Sequence, residues 1–183
     1  RKTPDEREDT WKGFANFEVF RKVHHGRSGI CSFYLRPLDN RLTLAPFRPG
    51  QHLVLRLQLP ASSRILTRRY SLSDAPNGQY YRISVKHQPA PAGRKLPDGL
   101  GSTFLHRLVD DTRTAPERSH LLVSAPRGEF YAIPDEEVPP VLIGGGVGVT
   151  PFLSMFNAIL EENPDREVWF FYGVRNSSED ILM

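Results

Sequence analysis

Apolar and polar residues alternate along most of the chain before residue 125, which is the period of half-buried strands. Aromatic packing around Trp11 gives way to alternation at Phe17, Val19 and, after Phe20, Val23; Ile30 to Leu38 alternates again and is closed by Pro37, Asp39 and Asn40. Pro46, Pro49 and Gly50 mark a corner before a strand from Gln51 to Leu59, and the run Arg64 to Ser73, R-I-L-T-R-R-Y-S-L-S, continues the sheet. Asp74-Ala75-Pro76-Asn77-Gly78 has turn chemistry. Tyr80 to His87 then sets Tyr81, Ile83 and Val85 against Arg82, Ser84 and Lys86, so the runs on either side of the turn are expected to pair as a hairpin. Gln88 to Asp98, with Pro89, Pro91, Gly93 and Pro97, is a loop. It yields to a short helix capped by Ser102 or Thr103, with Phe104, Leu105 and Leu108 facing inward. Asp110 to His120 is polar, Leu121 to Ser124 is a strand, and Ala125 to Phe130 is a corner leading to a final short strand. Short strands at regular spacing with Pro/Gly corners predict a sandwich or small antiparallel barrel.

Beyond Pro134 to Pro140, P-D-E-E-V-P-P, the pattern changes. Val141-Leu142-Ile143 reads as a short buried strand running into Gly144 to Pro151, G-G-G-V-G-V-T-P, and then into an amphipathic helix from Phe152 to Glu161. Val168 to Tyr172, V-W-F-F-Y, is a continuous apolar run of the kind buried on both faces of a parallel sheet. Strand, helix and strand make a βαβ unit. The expected class is therefore β followed by α/β, with residues 1–10 a charged linker, 11–135 an antiparallel barrel and 136–183 the beginning of a parallel-sheet nucleotide domain.

Composition excludes more than it selects. With 39% hydrophobic and 25% charged residues, the 183-residue chain has the make-up of an ordinary globular domain, and no apolar run approaches the ~20 residues of a membrane span. The first ten residues are charged, hold no apolar signal core and do not begin with Met, which reads as a linker cut from something longer. A net charge of +3, carried on scattered basic residues with no nucleic-acid-binding signature, argues against a nucleic-acid partner. The single cysteine, Cys31, excludes an internal disulfide and a cluster ligated by this chain alone, and it fits a reducing compartment, the cytoplasm. The six histidines show neither metal-ligand nor triad spacing.

Three stretches carry chemistry. Arg64, Arg68 and Arg69 lie within six positions of an apparent strand, with Tyr70, Ser71 and Ser73 beside them. Cation, aromatic plate and hydroxyl in one extended run suit a planar ring with a phosphate tail. The same run reads equally well as a solvated basic edge that discourages pairing with other chains. Gly99-Leu100-Gly101-Ser102-Thr103 leads into a helix, which gathers free N–H groups and the positive dipole end at one spot suited to phosphate, or is simply a loop and a cap. The glycine turn at 144–150 joins strand to helix as dinucleotide phosphate sites do, but without the G-x-G-x-x-G spacing and its acidic residue directly after the second strand. Gly173, Val174 and Arg175 follow the second strand instead, and Arg175 can point a cation at an adenosine ribose or phosphate.

In order, these pieces resemble the ferredoxin-NADP reductase superfamily, and in particular the reductase module of flavohemoglobins and related fused oxidoreductases. Arg68-Arg69-Tyr70-Ser71 matches that family's R-x-Y-S flavin motif, Gly99-Leu100-Gly101-Ser102 its G-x-x-S pyrophosphate motif, and Gly145 to Pro151 its G-G-x-G-x-T-P nicotinamide motif. The opening W-K-G-F-A-N-F-E-V-F-R-K-V, the F-R-P-G-Q-H-L before the arginine strand and the A-P-R-G-E-F corner are similar to the flavohemoglobin module too, so the resemblance runs from about Trp11 to the last residue.

The resemblance implies a six-stranded antiparallel FAD-binding barrel followed by the start of a nicotinamide-nucleotide domain. It implies an FAD-dependent NAD(P)H oxidoreductase that takes hydride onto FAD and passes single electrons to a haem or iron-sulfur acceptor, fused or separate. Carried to matching positions, Arg68 neutralises the FAD pyrophosphate, Tyr70 packs against the isoalloxazine and Ser71 hydrogen-bonds near flavin N5. The backbone of Val85, Lys86 and His87 lines the pyrophosphate and adenylate side, and Gly101, Ser102 and Thr103 supply N–H and hydroxyl donors. Gly146, Val147, Gly148 and Thr150 approach NADH or NADPH, with Thr150 near the nicotinamide and Arg175 at the adenosine end. Arg175 and the missing acidic residue lean toward NADPH. The family's nucleotide domain normally continues for several more strands, so two rival readings remain: an FAD-binding module without turnover of its own, and a sandwich that docks an acidic partner through its basic strand.

Overall fold

The computed structural model describes residues 11–59, 65–93, 95–108, 120–133, 138–175 and 182. The expected linker at 1–10, Arg64 and most of the polar segment 110–120 lie outside them, as do residues 134–137 at the expected domain boundary. Six strands form one antiparallel sheet: β1 (Phe14–His25), β2 (Ile30–Pro37), β3 (His52–Gln58), β4 (Ile65–Ser71), β5 (Tyr81–Lys86) and β6 (His120–Ser124), in the spatial order β4-β3-β6-β1-β2-β5. Alternation does what the sequence leads one to expect. On β3, Leu53, Leu55 and Leu57 are fully buried while Arg56 and Gln58 face out, and Phe17, Phe33, Leu35, Ile83 and Val123 complete the interior. Each such side chain contributes on the order of 1.5–3 kcal/mol by leaving water. Trp11 anchors the start of the barrel by donating its indole N–H to the Val123 carbonyl at 3.1 Å.

The expected β4–β5 hairpin is not formed. β4 pairs with β3 and β5 pairs with β2, so the two sit at opposite ends of the strand order. A single bridge, Leu72 to Ile83, with Ser73 N–H donating to the Arg82 carbonyl at 2.8 Å, brings the ends together and closes the sheet into a barrel. The turn 74–80 is too long and too strongly tethered by Asn77 and Asp74 to let the strands zip from its base. The final short strand expected after Phe130 is absent from residues 125–133. Apart from the bridge between Arg127 and His52, that stretch crosses the barrel as irregular chain, with Ala132 N–H bonded to the Pro49 carbonyl.

Helix α1 (Leu100–Arg107) closes one end of the barrel with Leu105 and Leu108, and Lys22 Nζ donates to the His106 and Leu108 carbonyls at its C-terminus. The second unit is a parallel pair, β7 (Val141–Gly145) and β8 (Trp169–Gly173), connected through a 3-10 turn at 146–149 and helix α2 (Thr150–Glu162). Burial on both faces of these strands, expected from their apolar runs, is corrected. Leu142, Phe170 and Tyr172 face the side packed by α2, where Phe156 and Phe170 stack at 5.2 Å. Val141, Ile143, Trp169 and Phe171 are between 51% and 67% exposed on the other side, because nothing among the described residues covers that face. No helix among the described residues is long and apolar enough to cross a membrane.

Candidate functional site

β4 is an edge strand of the barrel order, so its residues are free to meet something other than a neighbouring strand. Arg68 and Arg69 are exposed and Tyr70 is half-buried. Among the described residues Arg68 meets no carboxylate; its Nη1 donates only to the Thr67 carbonyl beside it, at 2.8 Å. Burial raises the Tyr70 phenol above its ordinary value against the opposing pull of the Arg68 charge, so Tyr70 stays neutral and able to donate.

The start of α1 comes directly onto this pair. A methyl group placed on Gly101 would lie 3.3 Å from the Tyr70 hydroxyl, 3.4 Å from Arg68 Cγ and 3.4 Å from Leu66 Cδ2, so the helix backbone rests on the strand's side chains through a residue without one. The helix begins at Gly99 with no side chain capping it, and its first internal bond is Thr103 N–H to the Gly99 carbonyl at 2.9 Å. The amides of Leu100, Gly101 and Ser102 therefore precede the helical ladder, next to an arginine and a tyrosine.

The end of β5 holds that helix in place. Gly99 N–H donates to the Gln88 carbonyl at 2.8 Å, and Gln88 N–H donates to Ser102 Oγ at 3.1 Å. His87 Nε2 lies 3.3 Å from Thr103 Oγ1, and His106 Nε2 lies 2.9 Å from the Val85 carbonyl. Ser102 is not the expected cap. Its hydroxyl donates to the Gly99 carbonyl at 3.0 Å, because the helix starts a turn earlier and places Ser102 inside its first turn. Arg68, Tyr70, Val85, Lys86, His87, Gly101, Ser102 and Thr103 thus converge where β4, β5 and α1 meet. Ser71 ends β4 opposite His52.

The glycine turn forms the second part. Gly144 lets strand and helix approach: a methyl there would lie 3.0 Å from Phe152 Cδ2 and 3.0 Å from Val149 Cα. Gly146 has a φ of +52°, and a methyl at Gly146 or Gly148 would meet nothing within 4 Å, so the turn's outer surface is open. Thr150 starts α2 buried at 6% exposure, with no side chain capping the helix. Val147 is half-buried. Arg175 is exposed two residues beyond β8, whose Gly173 pairs with Gly145 at the mouth of the turn. The turn docks on the barrel where Val149 packs with Ile30, the β2 residue that pairs with Lys86 of β5. The two groups of site residues accordingly lie at neighbouring places on β5.

Residues absent from the sequence reading also matter here. Asp74, three positions after Ser71, hydrogen-bonds to Ser154 and Asn157 of α2; the sequence marked it only as a turn residue. A cavity of about 1220 Å³ opens beside α1 and shares Leu66, Leu100 and Thr103 with this site, but neither Arg68 nor Tyr70 lines it. No group of His, Cys, Asp and Glu among the described residues has the arrangement of a metal site.

Burial holds the imidazoles of His25, His52 and His106 below the ordinary 6.5, with further lowering of His25 by Arg82 and of His52 by Arg69. The Val85 carbonyl partly offsets the effect on His106. The folded state thus binds protons at these sites less readily than the unfolded chain. Their contribution is complete above 6.5 and is lost as pH falls from there toward the depressed folded values. Urea melts should show the midpoint falling between about pH 7 and about pH 5, with a smaller fall in a His25→Gln/His52→Gln/His106→Gln variant.

Comparison with known proteins follows the same division. Residues 142–183 match the family model described as oxidoreductase NAD-binding domain. Flavohemoprotein from Bacillus cereus is 40% identical over 176 residues, which covers 96% of this chain and 41% of that protein. Flavohemoprotein A from Dictyostelium discoideum is 37% identical and 43% covered, so the chain spans less than half the length of these relatives. Among solved structures, the flavohem-like FAD/NAD-binding domain of nitric oxide dioxygenase from Vibrio cholerae superposes with a TM-score of 0.75 at 31% identity, covering 90% of this chain and 64% of that one. Phthalate dioxygenase reductase, described as a modular structure for electron transfer from pyridine nucleotides to [2Fe-2S], gives 0.64 at 28% identity over 97% of this chain and 47% of its own.

Proposed function

Because this chain belongs to the ferredoxin-NADP reductase superfamily of FAD/NAD-binding reductase modules, we propose that it is an FAD-dependent NAD(P)H oxidoreductase module that delivers electrons singly to a haem or iron-sulfur acceptor. The observation that carries this reading is the contact of Gly101 with Tyr70 and Arg68. It joins an uncapped helix start, an aromatic plate and a guanidinium without a carboxylate partner among the described residues, which fits a flavin dinucleotide. When bound, FAD accepts a hydride from the nicotinamide and gives its electrons up one at a time.

The chain's own residues hold and orient. Arg68 balances pyrophosphate charge together with the amides of Leu100, Gly101 and Ser102. Tyr70 offers its ring as a plate and its neutral hydroxyl as a donor, and Ser71 offers a hydroxyl at the end of the same strand. The backbone of Val85, Lys86 and His87 borders the same cradle. Gly146, Val147, Gly148 and Thr150 line the open turn for the nicotinamide nucleotide, with Arg175 beside its mouth for the adenosine end. No general base is required, because the reaction needs two rings in register and little water between them. Arg175 with no acidic residue at the end of β8 favours NADPH over NADH. A haem acceptor follows the flavohemoproteins and an iron-sulfur acceptor the phthalate dioxygenase reductase, and the site that receives either lies in a fused or separate partner.

The visible spectrum of the purified protein tests the reading. Flavin bands that bleach on adding NADPH or NADH support it. Flavin bands that persist reduce the chain to a carrier, and a protein that neither carries nor takes up flavin leaves β4 as a charged edge.

A further inference from the structure

The flavin strand and the nicotinamide helix are tied together through one residue, Asp74, by its backbone carbonyl and its carboxylate. Asp74 lies on the segment that leaves β4, three residues after Ser71. Its backbone carbonyl accepts a hydrogen bond from Ser154 Oγ at 2.7 Å, and its Oδ1 accepts one from Asn157 Nδ2 at 3.1 Å; both donors are on α2. Oδ1 also takes the Ala75 N–H at 3.2 Å, Oδ2 takes the Tyr80 hydroxyl at 3.0 Å, and Arg82 Nη1 stands 3.4 Å from Oδ2. Burial, and after it the Asp74 carboxylate, pushes the Tyr80 phenol up to about 12, which keeps that hydroxyl a donor.

The node is anchored on the sheet face opposite the apolar interior. Arg82 donates through Nε to Ser73 Oγ at 3.3 Å and through Nη2 to the Ser73 carbonyl. Ser73 Oγ lies 2.9 Å from Ser84 Oγ, which lies 2.7 Å from Ser32 Oγ, which lies 2.8 Å from His25 Nε2. Ser73, Ser84 and Ser32 are 0%, 6% and 1% exposed, so a chain of buried hydroxyls runs across β2 and β5, on the face away from the apolar core residues Cys31, Phe33, Ile83 and Val85, and ends on the group that grips α2. Buried polar chains of this kind hold only one geometry well, since a partner shifted out of reach leaves a costly unsatisfied group.

We propose that Asp74 is a positioning residue that sets α2, and with it the glycine turn at 146–149 and Thr150, at a fixed place relative to Tyr70 and Ser71. This rests on the function proposed above. Ser71 and Asp74 are three residues apart on one segment, and Thr150 and Ser154 are about one turn apart on one helix. The two ends of the reaction thus share a single node, and misplacing one against the other lowers the rate of transfer.

The test uses the full-length, FAD-loaded protein and the variants Asp74→Ala, Asn157→Ala, their double, and Asp74→Asn, which keeps an oxygen acceptor. Amide hydrogen exchange over 150–158 is read first. Asp74→Ala and Asn157→Ala should each speed exchange there by about tenfold relative to the barrel strands, the double no more than the larger single, and Asp74→Asn less than Asp74→Ala. Flavin reduction at saturating NADPH should slow in the same order while FAD content and KM for NADPH stay level. Exchange over 150–158 unchanged in Asp74→Ala, or strictly additive effects in the double, overturn the proposal. If the wild-type flavin is not reduced by NADPH or NADH, the functional reading falls by itself, and the exchange data still decide whether Asp74 holds α2.

Discussion

Replacing Gly50 with alanine is expected to lower the unfolding free energy by about 3 kcal/mol or more. Gly50 sits at φ +105°, a conformation that residues with a side chain rarely adopt. Its missing Cβ would stand 2.6 Å from the Phe130 carbonyl oxygen and 3.0 Å from Tyr131 Cα, both backbone atoms that cannot swing aside. Met155 Cε, closer still, is the flexible end of a side chain and can move, but Met155 belongs to the buried face of α2, so its displacement loosens that helix from the barrel. Gly78 provides the comparison. It also has a positive φ, +70°, but a methyl there meets nothing within 4 Å, so Gly78→Ala should lose only the strain, about 1 kcal/mol. Urea melts of the two variants side by side separate strain from collision, and equal losses would contradict the packing at Gly50.

The second large effect is expected at the cradle. Tyr70→Ala removes the plate, and Gly101→Val fills the gap through which α1 rests on Tyr70 and Arg68. Burial of one aromatic ring against a partner contributes on the order of 1.5–3 kcal/mol, so each variant should bind FAD about 10- to 100-fold more weakly. Fluorescence titration of FAD against apoprotein reads this. Affinity within about twofold of wild type in both variants would remove the reason for assigning flavin to this place. Tyr70 and Gly101 belong to different elements, brought together only by the fold, so a shared phenotype is informative.

How much of this was legible in the sequence varies with the distance over which the information acts. Alternation on Leu53, Leu55 and Leu57 identified β3, and Tyr81, Ile83 and Val85 identified β5, because side-chain direction in a strand is local. Gly144 to Pro151 marked the turn and helix for the same reason: glycine freedom and a proline at the first helical turn are properties of the residues themselves. Closure was not legible. Nothing in Leu72 or Ile83 says that their single bridge joins the two ends of a six-stranded order rather than the base of a hairpin. Ser102 misled because a serine near a helix start usually caps it, whereas here Gly99 begins the helix and Ser102 ties it to Gln88. The apolar run at 168–172 predicts burial on both faces, yet Trp169 and Phe171 are exposed; hydrophobicity marks what a face can pack against and not what covers it. Asp74 carried an ordinary turn signal, and its contacts with α2 span about 80 residues of sequence, beyond any local pattern.

In the function proposed above, the Arg68–Tyr70 face of β4 and the start of α1 hold one and the same dinucleotide. Titrating FAD into isotopically labelled apoprotein and following backbone amide resonances tests it most directly. Tyr70 and Ser71 on one side, and Gly99, Gly101 and Ser102 on the other, should shift together and saturate at a single equivalent of FAD. Shifts confined to one of the two sets, or saturating at different FAD concentrations, would contradict it.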